Sequence, residues 1–473
     1  MLEQKIDRWI SVHCEELLED IAQLVQIPSI SVPSEGSHVY GDACAQALDT
    51  MLALGRKYGF ETENAGYRCG AIRFGSQEKS IGLWGHLDVV PEGNDWKYPP
   101  FACVREGDFL IGRGVQDNKG PCVAALYAMR CIKDLGIPLH CRVEQVVGCA
   151  EETGMDDVTY YVREYPVPDF NLITDCGFPV CYGEKGILEA ELRSQPLSGS
   201  VLSVESGSAS NIVPDLAVMR LRASAAVLKN LRQLSGEIDT EICGDVVILT
   251  AHGIAGHAAF PDGSVNAAAK LCRAVLDAVL LDPDDRAVIE KLEILCASTD
   301  GSALSIACRD ELSGALTCIA GTVRQQEQRL RVTVNIRYPI TADSAEIRRS
   351  LAARAEADGW EIAECADNPP NYFDPESPYI RLLTDVYNRV MQTNSKAYVM
   401  GGGTYARKIP RAVAFGPGLP TDSSALNLSA GHGGCHAPDE LQSITNLQTA
   451  IKIYVLALLE LSDAMEAELS GKV

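Results

Sequence analysis

His86 and Asp88 stand two residues apart in "LWGHLDVVPEGN", where the apolar run "IGLW" stops. In an extended chain residues i and i+2 point the same way, so the Asp88 carboxylate can reach the His86 ring. A histidine that ligates a metal donates its other ring N–H to such a group, which fixes its tautomer. Four more places put candidate ligands just past an apolar stretch. Asp117 lies in the Gly-rich "GRGVQDNKGP", ahead of a helix opened by Pro121, a favoured first-turn position. Glu151 and Glu152 follow "VEQVVGCA", Asp175 follows "NLIT", and His436 comes one loop after "AVAFG". Imidazole and carboxylate together suit zinc, cobalt or manganese, and the share of oxygen donors leaves room for harder metals. With more than four donors, two ions are easier to satisfy than one. Taken singly each residue has a plainer use: a surface histidine, a solvated Glu pair, a turn former or helix cap at Asp117. Their joint placement is the signal.

The elements that must position these residues alternate up to about residue 185. A helix is expected over 3–25, strands at "IGLWG", "CRVEQVVGCA" and "FNLITD", and a helix from Pro121 to about Leu135. Short apolar strands interleaved with helices imply an α/β layer with a mostly parallel sheet, whose functional groups collect at the strands' carboxyl ends. From about Gly186 the texture changes. "GILEAELRS", "DVVILTAHG" and "LRVTVNIRYP" alternate apolar and polar residues, as half-buried strands do, between helices at "NAAAKLCRAVLDAVLL" and "SAEIRRSLAARAEADG". After "NPPNYFDPESP", helix "YIRLLTDVYNRVM" and strand "AVAFG" return to the first texture. The expected architecture is a discontinuous α/β catalytic domain, residues 1–186 and 373–473, interrupted by an α+β domain over 187–372.

The bulk numbers exclude whole classes of function. Hydrophobic residues make up 46% and charged residues 22%, the balance of an ordinary globular chain. A formal charge of -23 argues against nucleic acid, which is bound by excess Lys and Arg. The N-terminal stretch lacks the basic start and apolar centre of a signal peptide, and no run reaches the ~18 uninterrupted apolar residues that suggest a membrane span. Seventeen cysteines without a C-x-x-C pair fit free thiols in a reducing compartment. A cytoplasmic protein without membrane or nucleic-acid partners is expected. There is no H-E-x-x-H and no G-x-S-x-G.

"GHLDVVP", "GRGVQDNKGP", "AEETG", "TDCGFPVCYGEKG" and "CHAPDE" together resemble the dinuclear metallopeptidases of the MH clan. That family groups acetylornithine deacetylases, succinyl-diaminopimelate desuccinylases, carnosinases and bacterial dipeptidases. The resemblance runs from about residue 15 to 465, and the length with "GGGTYAR" looks closest to the dipeptidase V type. It implies that Asp117 bridges two divalent ions, zinc with manganese or cobalt as alternatives. His86 and Asp175 would complete one ion's shell, and Glu152 and His436 the other's. It further implies Glu151 as general base, Asp88 as the partner of His86, and a cis peptide bond after Asp117.

The same resemblance assigns His257 of "GIAGHAAFPDG" to the oxyanion, in place of the turn role its Gly/Ala-rich loop suggests. Asn211 and Arg337 match substrate contacts, and the planar fork of Arg337 suits a substrate carboxylate. Gly402 and Gly403 lack the Rossmann spacing and read as a substrate-binding turn. The insert resembles that of the family's longer members, whose enlarged lid supplies this histidine within one chain, and the resemblance implies a monomer. The expected activity is hydrolysis of dipeptides. The nearest alternative is an N-acetyl or N-succinyl amino acid deacylase using the same site, and a distant one is a non-catalytic metal or peptide binder.

Overall fold

The computed structural model describes residues 2–234 and 236–469. The chain divides into two compact units. The first takes residues up to Tyr182, Phe373–Tyr398 and the chain from Thr404 onward; the second takes Gly183–Tyr372 and the short return Val399–Gly403. That return is held in the second unit by Lys185 N–H donating to the Met400 carbonyl and Arg337 Nη1 to that of Gly401.

At the centre of the first unit four strands run parallel, in the order Arg142–Gly148, Ser80–His86, Phe170–Ile173, Ala412–Ala414. Ser80–His86, Phe170–Ile173 and Ala412–Ala414 are buried at every position, which is why they read as apolar runs and not as alternating strands. The sheet as a whole is mixed, and this corrects the expectation of a mostly parallel one. Glu61–Ala65 and Cys69–Phe74 form a hairpin across Gly66 and Tyr67, both with left-handed φ, and Cys69–Phe74 pairs antiparallel with Arg142–Gly148. A connection that tight can join only antiparallel strands. At the other side Ala412–Ala414 meets Cys181–Glu184 antiparallel.

Helix Lys119–Asp134 packs on the central strands and against helices Cys14–Val25 and Ile444–Leu469. The stretch Ile444–Glu468 of this last helix is long and apolar enough to cross a membrane by length and composition. Leu447, Ile451, Tyr454, Leu458 and Leu461, however, are all buried in the core of this unit, which accounts for its apolar face. None of the seventeen cysteines is in a disulfide.

The second unit is built on an eight-stranded antiparallel sheet. Gly186–Arg193 alternates buried and half-buried residues along its whole length. Leu188, Ala190 and Leu192 share a core with Leu271 and Val275 of helix Ala267–Asp277, Leu292 of Pro283–Ala297 and Leu351 of Ser344–Ala357. A sheet covered by helices on its apolar face needs only every second residue apolar, hence the change of texture at residue 186.

Candidate active site

Strand Ser80–His86 ends in His86, which is buried. Its Nδ1 lies 2.9 Å from the carbonyl oxygen of Asp88, an acceptor only, so the ring proton sits on Nδ1. The Asp88 carboxylate is farther, 3.5 Å, and has another use. Its two oxygens accept the backbone N–H groups of Glu151 (3.1 Å) and Glu152 (3.0 Å). Asp88 therefore sets the His86 tautomer through its backbone, and its side chain holds the glutamate turn.

His86 Nε2 then faces Asp117 Oδ1 at 2.9 Å and Asp175 Oδ2 at 3.7 Å. Across the same carboxylate, His436 Nε2 lies 3.1 Å from Asp117 Oδ2 and 2.9 Å from Glu152 Oε1. Asp117 thus turns one oxygen toward each histidine. The peptide bond Asp117–Asn118 is cis. Asn118 occupies the N-cap position of helix Lys119–Asp134 without capping it. Its Nδ2 instead donates to Asp175 Oδ1 (2.9 Å) and to the Thr174 carbonyl, while its Oδ1 accepts the His86 N–H. Asn118, not singled out in the sequence, orients Asp175.

The electrostatics are those of a cluster short of positive charge. Burial would lower the His436 imidazole, but hydrogen bonds to Asp117 and Glu152 push it up to about 11. Burial likewise opposes, and Asp117, Asp88 and Asp175 overcome it, so His86 sits well above its usual value. Burial and then the Asp117 charge raise Asp175 to about 7. Glu151 is held well above the carboxylate range by burial and, against His86, by Asp175, Glu152 and Asp117. With its proton on Nδ1, neutral His86 presents a lone pair to carboxylate oxygens, an arrangement that only a proton or a cation between them reconciles. His86, Asp117 and Glu152 each offer a donor atom within 4.8 Å of the others. Mixed nitrogen and oxygen donors at this spacing fit a divalent cation.

The remaining predicted residues lie in the second unit. His257 pairs with Ile212 in a short bridge, and the Ala258 N–H donates to the Asn211 carbonyl, which ties these two loops together. Ala259 N–H donates to His257 Nδ1 at 3.2 Å, so a neutral ring carries its proton on Nε2 and can donate there. Arg337 is buried, with Nε on Asn335 Oδ1 and Nη1 on the Gly401 carbonyl. Gly402 and Gly403 end the Val399–Gly403 return. Sequence reading also passed over Arg113, Asp157, Tyr405 and Glu440, all buried. The signal available for Glu440 was its place in "CHAPDE"; nothing local marks the others.

Residues 82–460 match Peptidase family M20/M25/M40. The chain is 31% identical over 464 residues to the "Putative dipeptidase YtjP" of Bacillus subtilis (strain 168), covering 95% of this chain and 97% of that one. A Staphylococcus aureus (strain MRSA252) relative of the same description is 27% identical over 465 residues, covering 94% and 97%. Among solved structures the fold is similar to human carnosine dipeptidase 1, with a TM-score of 0.60, 14% identity and 98% and 99% coverage. It is similar also to the di-peptidase Dug1p of Saccharomyces cerevisiae, with a TM-score of 0.59, 14% identity and 98% coverage of both chains. With the family match spanning most of the sequence, the chain belongs to Peptidase family M20/M25/M40 and is a hydrolase of peptide bonds.

Proposed function

We propose that this chain is a two-ion dipeptidase. The observation that carries the reading is the Asp117 carboxylate, with Oδ1 2.9 Å from His86 and Oδ2 3.1 Å from His436. His86 and Asp175 would hold one ion, Glu152 and His436 the other, and Asp117 both; zinc suits this donor set, with manganese or cobalt as alternatives. When bound, such ions supply Lewis acidity and a water acidified toward a pKa of ~7.

The chain's own groups do the rest. Glu151, on the turn held by Asp88, takes the proton of the attacking water at its carboxylate. It then delivers that proton to the leaving nitrogen, which amide cleavage requires because an amide anion is a very poor leaving group. His257 Nε2–H donates to the developing oxyanion. Arg337 grips the substrate carboxylate, and Asn211 with the backbone of Gly402 and Gly403 orients the peptide. The same proposal includes an inserted lid domain over about 187–372, a monomeric state and a cytoplasmic location. The names of the two bacterial relatives favour dipeptides over N-acyl amino acids.

The test is hydrolysis by chelated and then zinc- or manganese-reloaded enzyme. Free dipeptides, the same dipeptides N-acetylated, and N-acetyl or N-succinyl amino acids are compared. Metal-dependent cleavage of free dipeptides, lost on N-acetylation, is the expected result. Cleavage of the acylated amino acids alone would overturn the substrate and leave the centre standing.

A further inference from the structure

Glu440 lies four residues beyond His436, fully buried, and its two oxygens serve different segments. Oε1 accepts three backbone N–H groups, from Gly114 (3.0 Å), Gln116 (2.9 Å) and Asp117 itself (3.0 Å). Oε2 accepts from Arg113 Nη1 at 2.7 Å. Arg113 is buried as deeply, and its Nη2 donates to the carbonyls of His436 (3.3 Å) and Glu92 (3.4 Å). The guanidinium also lies 5.2 Å from the Trp96 ring. The backbones are fastened as well, with Gly112 N–H donating to the Glu440 carbonyl and Leu441 paired with Ile111. One ion pair thus joins the loop that ends in Asp117 to the segment that begins at His436.

A buried ion pair is a poor device for stability alone, because the desolvation of both charges offsets most of their attraction. What this pair does have is direction. Three N–H groups converge on one carboxylate oxygen, and a planar fork spans the other oxygen and the His436 carbonyl. We propose that Arg113 and Glu440 are positioning residues of the metal centre, which set the separation between the Asp117 carboxylate and the His436 imidazole. This rests on the two-ion reading above. Partners that hold metal ligands in place affect metal affinity by about 10–100-fold when lost.

Glu440→Gln is the direct test. A carboxamide has one oxygen, so either the three N–H groups or Arg113 must face an N–H donor. Chelated protein is titrated with Co²⁺ alone, followed by the visible absorbance of the bound ion, and the melting temperature of the metal-free protein is read alongside. Glu440→Gln is expected to weaken one Co²⁺ equivalent about 10–100-fold. Added to His436→Ala, it is expected to weaken that equivalent no further, since both act on one contact. Arg113→Lys keeps the charge and loses the fork, and carries the same test should Glu440→Gln not fold. Wild-type Co²⁺ affinity in the folded variants, or effects that multiply with His436→Ala, would overturn the proposal and leave a purely structural pair. If His436→Ala itself leaves both equivalents unchanged, the two-ion reading fails, and this inference falls with it.

Discussion

Asp88 and Asp157 divide between them four consecutive backbone N–H groups. Asp157 Oδ2 accepts those of Cys149 and Ala150, both at 2.7 Å, and the Asp88 oxygens accept those of Glu151 and Glu152. Both aspartates are fully buried. The turn that carries the two glutamates is therefore fixed by one side chain from just downstream, Asp157, and one from a distant part of the chain, Asp88.

Replacing Asp88 tests that arrangement directly. Asp88→Asn leaves one acceptor and turns an N–H donor toward the other glutamate amide. A fall of about 10–100-fold in kcat/KM or in metal affinity is expected, measured at saturating zinc and by metal titration. Unchanged values in both would remove the role.

Asp157 gives a pH signature. Burial and the Asp88 charge push its carboxyl from 3.8 up to about 7, against hydrogen bonds from Tyr405, Val158 and Ala150. Between those values the native state holds a proton that the unfolded state has lost, so this group's contribution to stability falls as pH rises through the window. Metal-free wild type is expected to lose melting temperature from about pH 4 to 7 more steeply than Asp157→Asn. Parallel curves would contradict this.

Gly148 leaves the room that the arrangement needs. A Cβ there would come within 2.1 Å of the Tyr405 hydroxyl and 2.3 Å of Asp157 Oδ2. Gly148→Ala is expected to cost roughly 1–3 kcal/mol in denaturant unfolding, as overpacking does. Tyr405→Phe in the same chain removes the closer atom and is expected to recover part of that loss. No recovery would place the strain elsewhere.

His257→Ala removes the donor whose tautomer the Ala259 N–H selects. Loss of an oxyanion donor lowers kcat about 10²–10³-fold. Metal content is expected to stay unchanged, since His257 belongs to the second unit and the donor cluster to the first. A drop in metal occupancy would assign His257 another part.

Chelation is expected to abolish hydrolysis and lower the melting temperature, and zinc, manganese or cobalt to restore both. Ions that bind only the native state stabilise it by mass action, by about 2.7 kcal/mol at a hundred times Kd. Activity surviving exhaustive chelation would refute a metal-dependent mechanism.

What the sequence by itself determined is local. The apolar run of Ser80–His86 stops at His86, while Glu151 and Asp175 were legible as acids just past Arg142–Gly148 and Phe170–Ile173, even though those strands bury Glu144, Gln145 and Asn171. The alternation in Gly186–Arg193 was legible because a one-sided sheet imposes period two. The hairpin Glu61–Phe74 was not, since its strands carry little of either pattern; together with the antiparallel pairing of Ala412–Ala414 and Cys181–Glu184 it makes the sheet mixed. Tertiary structure alone decided which oxygen of Asp117 faces which histidine, that the Asp88 carboxylate, 3.5 Å from the His86 ring, also holds the glutamate turn, and that Arg113 meets Glu440 across 327 residues. Such contacts pair groups far apart along the chain. Their hydrogen-bond geometry depends on where two backbones end up in space, which no spacing along one backbone encodes.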